Sequence, residues 1–453
     1  MSLGGFVTLM SGSMIAPALP ALGRDLHMTA SEAESGLSIF ILAFAFGPLI
    51  LAPFTEVYGR KPVWIVSGFV YAGWSVVSGF SQNKATLIAS RFLSGIGGSV
   101  DFVIALPVMS DIWPPEQRGQ SFALVNAIPL LGPALGPLIG GAIADTIGWR
   151  WIFWIAALFA AGLMVLAIFV LPETSHAKIL GKRAAILNKN KKQQHESITT
   201  NTTQEQQQYY YTTYTKHLAT TTLPKQLLTS ISRPARMLAT QPILQLVSVF
   251  MAFNFGVLYY LLATFATLHH DVYHETVAQT GLHYIAIAIG NLAANFLGAY
   301  LMDLLWKKMK SRADGATKPE YRVPLTLPGG LLVPAGLLWY GWSAQFPERT
   351  HWIMTDIGAA VAGFGLFLHT SAMAAYVLDS FPDYTASAMG ASQVLRMVFG
   401  FVFPIFAPPM QARLGWGWAN TVLAGIGAVF ALVGPVVLWN FGERIRKRGR
   451  ALR

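Results

Sequence analysis

Apolar residues run along this chain in blocks of about twenty, separated by short polar stretches and by one long polar interruption near the middle. A helix needs about 20 apolar residues to cross the hydrocarbon of a bilayer. On that length the blocks predict twelve spanning helices, at 2–22, 36–55, 62–80, 85–110, 120–143, 149–171, 242–268, 278–303, 325–343, 352–378, 386–410 and 416–440. The first block lacks a basic leader and is interrupted by Pro17 and Pro20, so it reads as a spanning helix and not as a signal peptide. The interruption, 172–240, includes NKNKKQQHESITTNTTQEQQQYYYTTYTKH, which is too polar to bury a core. The pattern therefore predicts an N-terminal six-helix bundle (1–171), a largely disordered linker (172–240), a C-terminal six-helix bundle (241–440) and a basic tail (441–453). Within the linker, 223–239 is basic and partly amphipathic. Both an exposed helix and one lying on the membrane surface fit it.

Composition agrees with lipid as the solvent. Only 12% of residues are charged and 53% are hydrophobic, where a soluble domain carries about 25% charged. The net charge of +11 is sorted along the chain. Arg24, Lys84, Arg150, Arg349 and Arg413 fall on one side of the predicted membrane, and Arg91 and Arg396 fall within helices. The rest of the 32 Lys and Arg fall on the side of the two termini. The positive-inside rule then predicts that both termini are cytosolic. These cations flank helices and form no single face, which argues against a nucleic-acid partner. The chain has no cysteine, which excludes disulfides, thiol nucleophiles and cysteine metal sites.

One block carries the sharpest signal. GPALGPLIGG places Gly132, Gly136, Pro137, Gly140 and Gly141 inside an apolar run. In a water-soluble helix each glycine would cost about 1 kcal/mol and the proline about 3 kcal/mol. In a membrane, small residues let helix backbones approach closely and neighbours re-satisfy freed backbone groups. The spacing resembles the antiporter motif on the fifth helix of exporters in the major facilitator superfamily.

Other segments resemble the same superfamily. Ala52-Pro-Phe-Thr-Glu56-Val57-Tyr-Gly59-Arg60-Lys61 is similar to its loop motif between helices two and three, departing at Ala52 and Val57. The Glu-Val-Tyr-Gly-Arg-Lys form resembles the fungal drug:proton antiporter branch. The resemblance implies that Glu56 latches against the N-terminus of helix eleven, whose dipole favours an anion, with Gly59, Arg60 and Lys61 forming the turn. Arg60 and Lys61 also serve as topology anchors. Arg91-Phe-Leu-Ser-Gly95-Ile-Gly97-Gly98 is similar to the arginine-plus-glycine motif of helix four. A guanidinium in hydrocarbon costs at least about 2.5 kcal/mol and needs a partner or water. Proton coupling and snorkelling to the interface are both open to Arg91.

Asp101 lies ten residues further on, about 15 Å along a helix, and is expected near the bilayer centre. It is a candidate for carrying a proton or meeting a cationic substrate, and a structural hydrogen bond is the alternative. Arg396, with Gln393 on the same predicted helix, is a candidate to pair with an acid or attract an anion. Asn254, His283, His369 and Gln393 are candidate polar groups of a substrate cavity, with an interhelical hydrogen bond as the alternative for Asn254, His283 and His369. His270 and His274 stand one helical turn apart, as in some zinc sites. No third ligand at convincing spacing accompanies them, so no metal site is expected.

Gly148-Trp149-Arg150-Trp151, Leu171-Pro172-Glu173-Thr174, Lys318-Pro-Glu-Tyr-Arg322, Tyr376-Val-Leu-Asp379 and Thr385-Ala-Ser-Ala388 extend the resemblance to the fungal branch over nearly the whole chain apart from the linker. The resemblance implies an all-α membrane protein of twelve helices in two six-helix bundles. It implies proton-driven efflux of a small drug, toxin or fungal secondary metabolite by alternating access. The implied protein is a monomer with lipid, protons and a small-molecule substrate as partners, and with no cofactor. It sits in the plasma membrane or, alternatively, the vacuolar membrane. Uptake by proton symport and a non-transporting sensor are the alternatives. No nucleophile–base pair or phosphate loop suggests an enzyme.

Overall fold

The computed structural model describes residues 1–112, 128–129, 131–197, 223–312, 318–381 and 385–449, and all regular structure among them is helical. The first span is divided. Helices α1 (Ser2–Ser13) and α2 (Leu19–Asp25) flank a 3-10 turn, Ala16–Ala18, that carries Pro17. Pro20 sits in the first turn of α2, where its missing N–H costs nothing. Helix α3 (Ala30–Tyr58) starts on a capping box. Thr29 Oγ1 accepts from the Glu32 amide at 3.3 Å, and the Glu32 carboxylate accepts from the Thr29 amide at 2.9 Å. It stops at Gly59, whose φ of 97° only glycine adopts cheaply, and α4 (Arg60–Gly79) begins at once. Helices α5 (Lys84–Gly98) and α6 (Val100–Ile112) form the fourth span, joined at Ser99. Helices α7 (Gly132–Thr146) and α8 (Arg150–Val170) follow, then α9 (His176–Ser197) and α10 (Leu223–Thr240). The second half holds α11 (Pro242–Asp271), α12 (Val277–Arg312), α13 (Thr326–Gln345), α14 (Trp352–Ser380) and α15 (Thr385–Lys447).

Ten segments among the described residues are long and apolar enough to cross a bilayer. The last of them has 61 residues, about 90 Å of helix, too long for one crossing. Gly415, with φ 72°, reverses it and separates the two spans expected at 386–410 and 416–440. The expected span 120–143 lies partly outside the described residues, and its described part belongs to α7.

Two boundaries differ from the sequence reading. The linker is not largely disordered where it is described, because α9 and α10 occupy His176–Ser197 and Leu223–Thr240. Residues 198–222 lie outside the described residues. The stretch 441–453 is mostly not a tail, because α15 runs to Lys447 and Arg446 is tied to Glu320 and Tyr376. A local excess of charge hid α9, whereas α10 coincides with the amphipathic stretch 223–239 and gains stability from tertiary packing. Met237 of α10, for example, is buried against Leu244, Val247 and Ala388.

Burial follows lipid as solvent. On α8, Leu158 and Phe169 are 76% and 81% exposed, while Phe153, Ala156, Ala157, Ala160 and Met164 face inward at helical spacing. Helix α4 packs on α5 and α8; α13 packs on α14 and α15, and α12 on α14. The two halves meet along two seams, α3 with α15 and α7 with α12.

Candidate functional site: the seam between two helical halves

The glycines of α7 face the first span. A methyl group at Gly132 would come 2.8 Å from the Met10 amide nitrogen and 3.0 Å from the Phe6 carbonyl oxygen. One at Gly136 would lie 2.6 Å from the Met10 carbonyl oxygen, and one at Gly140 would overlap the Met14 carbonyl. Positions 132, 136 and 140 form an i, i+4, i+8 stripe, so two backbones run in contact where any side chain would part them. Gly141 is buried beside them. The other face of α7 meets the second half, where Gly281 of α12 abuts the Pro137 carbonyl and Leu138. The motif thus packs one helix into its own bundle and seats it on the opposite one.

Two guanidiniums approach the seam from opposite sides. Arg91 of α5 is 1% exposed. Its Nε donates to the Gly36 carbonyl at 3.2 Å, its guanidinium carbon sits 4.4 Å from the Phe40 ring centroid, and one terminal nitrogen has no hydrogen-bond partner. A buried guanidinium held by a carbonyl and an aromatic face is not snorkelling. Arg396 donates to Gln393 Oε1 at 3.0 Å, lies 4.7 Å from the Phe255 centroid, and keeps Nε unpartnered. Tyr259 of α11 lies near both guanidiniums. Neither pairs with a carboxylate among the described residues. The sequence singled out both arginines but gave no hint of the tyrosine between them, because aromatic residues are common in every span.

Asp101 is placed differently from the expectation. It lies inside the first half, accepting from Thr8 Oγ1 at 2.9 Å and from Trp64 Nε1 at 2.7 Å. Thr8 is in the second turn of α1, and Trp64 is four residues into α4. Asp101 therefore lies at the level of the second turns of α1 and α4, toward the end that bears the termini. Beside it, Gly4, Gly68, Tyr71 and Gly98 line a recess of about 20 Å³, room for one water.

The remaining candidates separate. Asn254 is buried and reaches Thr370 Oγ1 at 3.5 Å. His369 belongs to the core of the second half, where Nδ1–H donates to the Thr326 carbonyl at 2.8 Å. His283 is not in the seam but near the start of α12, where it donates to Asp356. The side chain of Glu56 lies outside the described residues. Its neighbours are held within the first half. The amides of Arg60 and Lys61 donate to the Glu173 carboxylate at 2.9 and 3.2 Å, an anion at the N-terminus of α4. Arg60 Nε lies 3.6 Å from Asp111 Oδ2. A methyl at Gly59 would come 2.5 Å from Glu173 Oε2, so the carboxylate needs glycine there. Sequence reasoning missed the role of Glu173, although the Leu-Pro-Glu-Thr run was in view. It also missed Glu34, a buried acid of α3 with one carboxylate oxygen lacking a hydrogen-bond partner.

Two bundles joined along two seams, with a glycine helix at one of them, match a known family. The model of the Major Facilitator Superfamily fits residues 1–404. The chain belongs to that superfamily. It is therefore a multi-pass membrane protein of a transporter family and not of an enzyme family. Its relatives are fungal. It is 36% identical over 435 residues to the probable efflux pump mfs2 of Aspergillus flavus, covering 96% of this chain and 99% of that one. It is 39% identical over 450 residues to the efflux pump vrtL of Penicillium aethiopicum, covering 98% and 84%. Among solved structures it resembles the partially occluded inward-open xylose transporter XylE of E. coli, with a TM-score of 0.64 at 16% identity, covering 100% and 98%. That likeness concerns the fold of this transporter.

Proposed function

We propose that this transporter exports a small organic compound, of the class of drugs, toxins or fungal secondary metabolites, in exchange for protons. In this reading it is a monomer in the plasma membrane with both termini in the cytosol. The observation that carries the proposal is the glycine stripe of α7 pressed against α1 on one face and seated on α12 by the other. The efflux role named for the fungal relatives supports the same direction of transport.

Asp101 is the proposed proton carrier. It is an acid inside the bundle, its two hydrogen-bond partners are neutral, and a water-sized recess adjoins it. Arg91 and Arg396 accompany it as the cations of the seam, and Gln393 and Asn254 contribute polar groups toward the substrate path. In the same proposal Glu56 latches α3 against the start of α15 when the path faces outward.

The test is reconstitution into vesicles with an imposed pH gradient and a fluorescent apolar efflux substrate. Asp101→Asn mimics the neutral acid. It should still exchange substrate for substrate but lose uphill export, with protein abundance unchanged. Uphill export by Asp101→Asn at the wild-type rate would remove Asp101 from the coupling role. Insensitivity of wild-type export to the pH gradient would remove proton exchange altogether.

A further inference from the structure

At the end of the second half opposite the termini, three helix ends bring together two histidines and two carboxylates. His269 is in the last turn of α11, Glu275 in the loop after it, His283 in the second turn of α12 and Asp356 in the second turn of α14. The imidazoles lie face to face, with ring centroids 3.8 Å apart and planes 11° from parallel. A carboxylate stands at each edge of this pair. On one edge Asp356 Oδ2 accepts from His283 Nδ1 at 2.7 Å, and Oδ1 lies 3.4 Å from His269 Nε2. On the other, Glu275 Oε2 lies 2.8 Å from His283 Nε2 and 3.5 Å from His269 Nδ1.

The cluster is buried and under-satisfied. His269 is fully buried and Asp356 is 9% exposed. Both ring nitrogens of His269 and Asp356 Oδ1 have no hydrogen-bond partner. Groups so placed lose their bonds to water without replacement, which costs about 1–3 kcal/mol each. The local charge is also unbalanced. With neutral imidazoles the cluster carries two negative charges, and neither carboxylate pairs with Lys or Arg among the described residues. Protonating both rings would balance it only by stacking two imidazolium ions face to face. A single divalent cation balances it without that repulsion.

We propose that His269, His283 and Glu275 bind one zinc-class divalent cation at this end of the transporter. The ligand atoms would be His269 Nδ1, His283 Nε2 and Glu275 Oε2. Each of the three residues offers an atom within 4.8 Å of the others. Tetrahedral zinc, with bonds of about 2.0–2.2 Å, needs ligand atoms about 3.3–3.5 Å apart. On binding, the Glu275–His283 contact therefore opens from 2.8 Å and the stacked rings rotate out of parallel to aim both lone pairs at the ion. The 3.5 Å from Glu275 to His269 already fits. Two nitrogens and one carboxylate oxygen suit zinc better than magnesium or calcium, which prefer oxygen alone. Asp356 is the supporting carboxylate. By accepting the Nδ1–H of His283 it fixes the tautomer that turns the Nε2 lone pair toward Glu275, and its other oxygen stands on the Nε2 side of His269. The backbone holds the third ligand in place. The Glu275 amide donates to the His269 carbonyl at 3.1 Å, and the His270 ring is 3.2 Å from the Glu275 carbonyl. His274 takes a left-handed φ of 56° at the turn just before Glu275. Tyr273 stacks on His269 and Trp352 lies edge-on to His283, so aromatic walls enclose the site.

The experiment titrates purified full-length transporter in detergent with zinc chloride against a chromophoric chelator, and reads thermal stability in parallel. Wild type should bind one ion and unfold at a higher temperature with zinc, while magnesium and calcium should neither bind nor compete. Glu275→Gln and His283→Gln should each weaken binding at least a hundredfold. Asp356→Asn should weaken it about 10–100-fold as a positioning residue. His274→Gln, whose side chain points out of the cluster and is exposed, should bind as wild type. X-ray absorption should report two nitrogen ligands with oxygen. Absence of one-to-one zinc binding in wild type would overturn the proposal. So would equal binding by Glu275→Gln when its elution profile shows it folded.

Discussion

The two ends of this transporter are tied by different chemistry. At the end that bears the termini, guanidiniums meet carboxylates. Arg446 forms a two-pronged pair with Glu320 and also donates to Tyr376. Arg322 reaches Asp379 at 2.8 Å, and Arg60 stands by Asp111. At the opposite end the first half keeps only exposed pairs, Lys84 with Glu32 and Arg150 with Asp25. The second half there carries imidazoles between carboxylates, near an apolar cluster that includes Leu262, Phe265 and Tyr284 with Leu19 and Leu22 of the first half. Guanidiniums keep their charge at any physiological pH, so the first end is a set of permanent ties. Imidazoles change state with protons or metal, so the second end answers to its surroundings.

The largest stability effect should come from breaking a permanent tie. Glu320→Gln leaves the guanidinium of Arg446 mostly buried with half its partners. Loss of one member of a buried pair costs about 3–5 kcal/mol. Partial exposure of this one lowers the expectation to about 2–3 kcal/mol. Thermal unfolding in detergent reads it, and an unchanged midpoint would show that the pair is only a surface contact.

Next in size is a wedge at the far end. A side chain at Gly281 would enter the backbone of Pro137 and Leu138 across the seam. Gly281→Val should cost the closed arrangement about 1–3 kcal/mol. A cysteine added near Leu26 should then react faster with a thiol reagent, in a chain that has no cysteine of its own. Equal labelling rates would mean that α12 shifts without opening the seam.

The smallest effect is expected at an exposed pair on the same end. Asp25 accepts from Trp149 Nε1 at 2.9 Å and from Arg150 at 3.1 Å, with its side chain half exposed. Asp25→Asn keeps an acceptor for the indole and should change stability by less than about 1 kcal/mol. A larger loss would show that this carboxylate belongs with the buried ties.

What the sequence revealed followed the range of its signals. Spans were legible because twenty apolar residues have one common explanation, and the reversal at 415 was visible as a gap between two such runs. The stripe at 132, 136 and 140 was legible because glycine at helical spacing is costly elsewhere. Partnerships across helices were not. Asp101 was read from its depth along one helix, but Thr8 and Trp64 decide its surroundings and neither stands out in its own segment. Near residue 270 the run His-His-Asp-Val-Tyr-His-Glu drew attention to His270 and His274. The left-handed turn at His274 leaves that side chain exposed, and residues 13 and 86 positions beyond His270 stand in the cluster instead. Helix α9 was obscured by composition, since charge and glutamine predict solvation without predicting coil, whereas α10 was legible as the amphipathic stretch 223–239.

Helix α10 touches both α3 and α15, members of different halves, at the end that bears the termini. It also continues, one residue later, into α11. A segment fixed to one body and resting on two is a strut. If the halves part at that end, α10 must give up one of its two resting places, and the free energy of that contact sets part of the difference between the two arrangements. Anything that grips α10 by its exposed, basic side would therefore alter how often the path opens, at a distance from the cargo and without touching it.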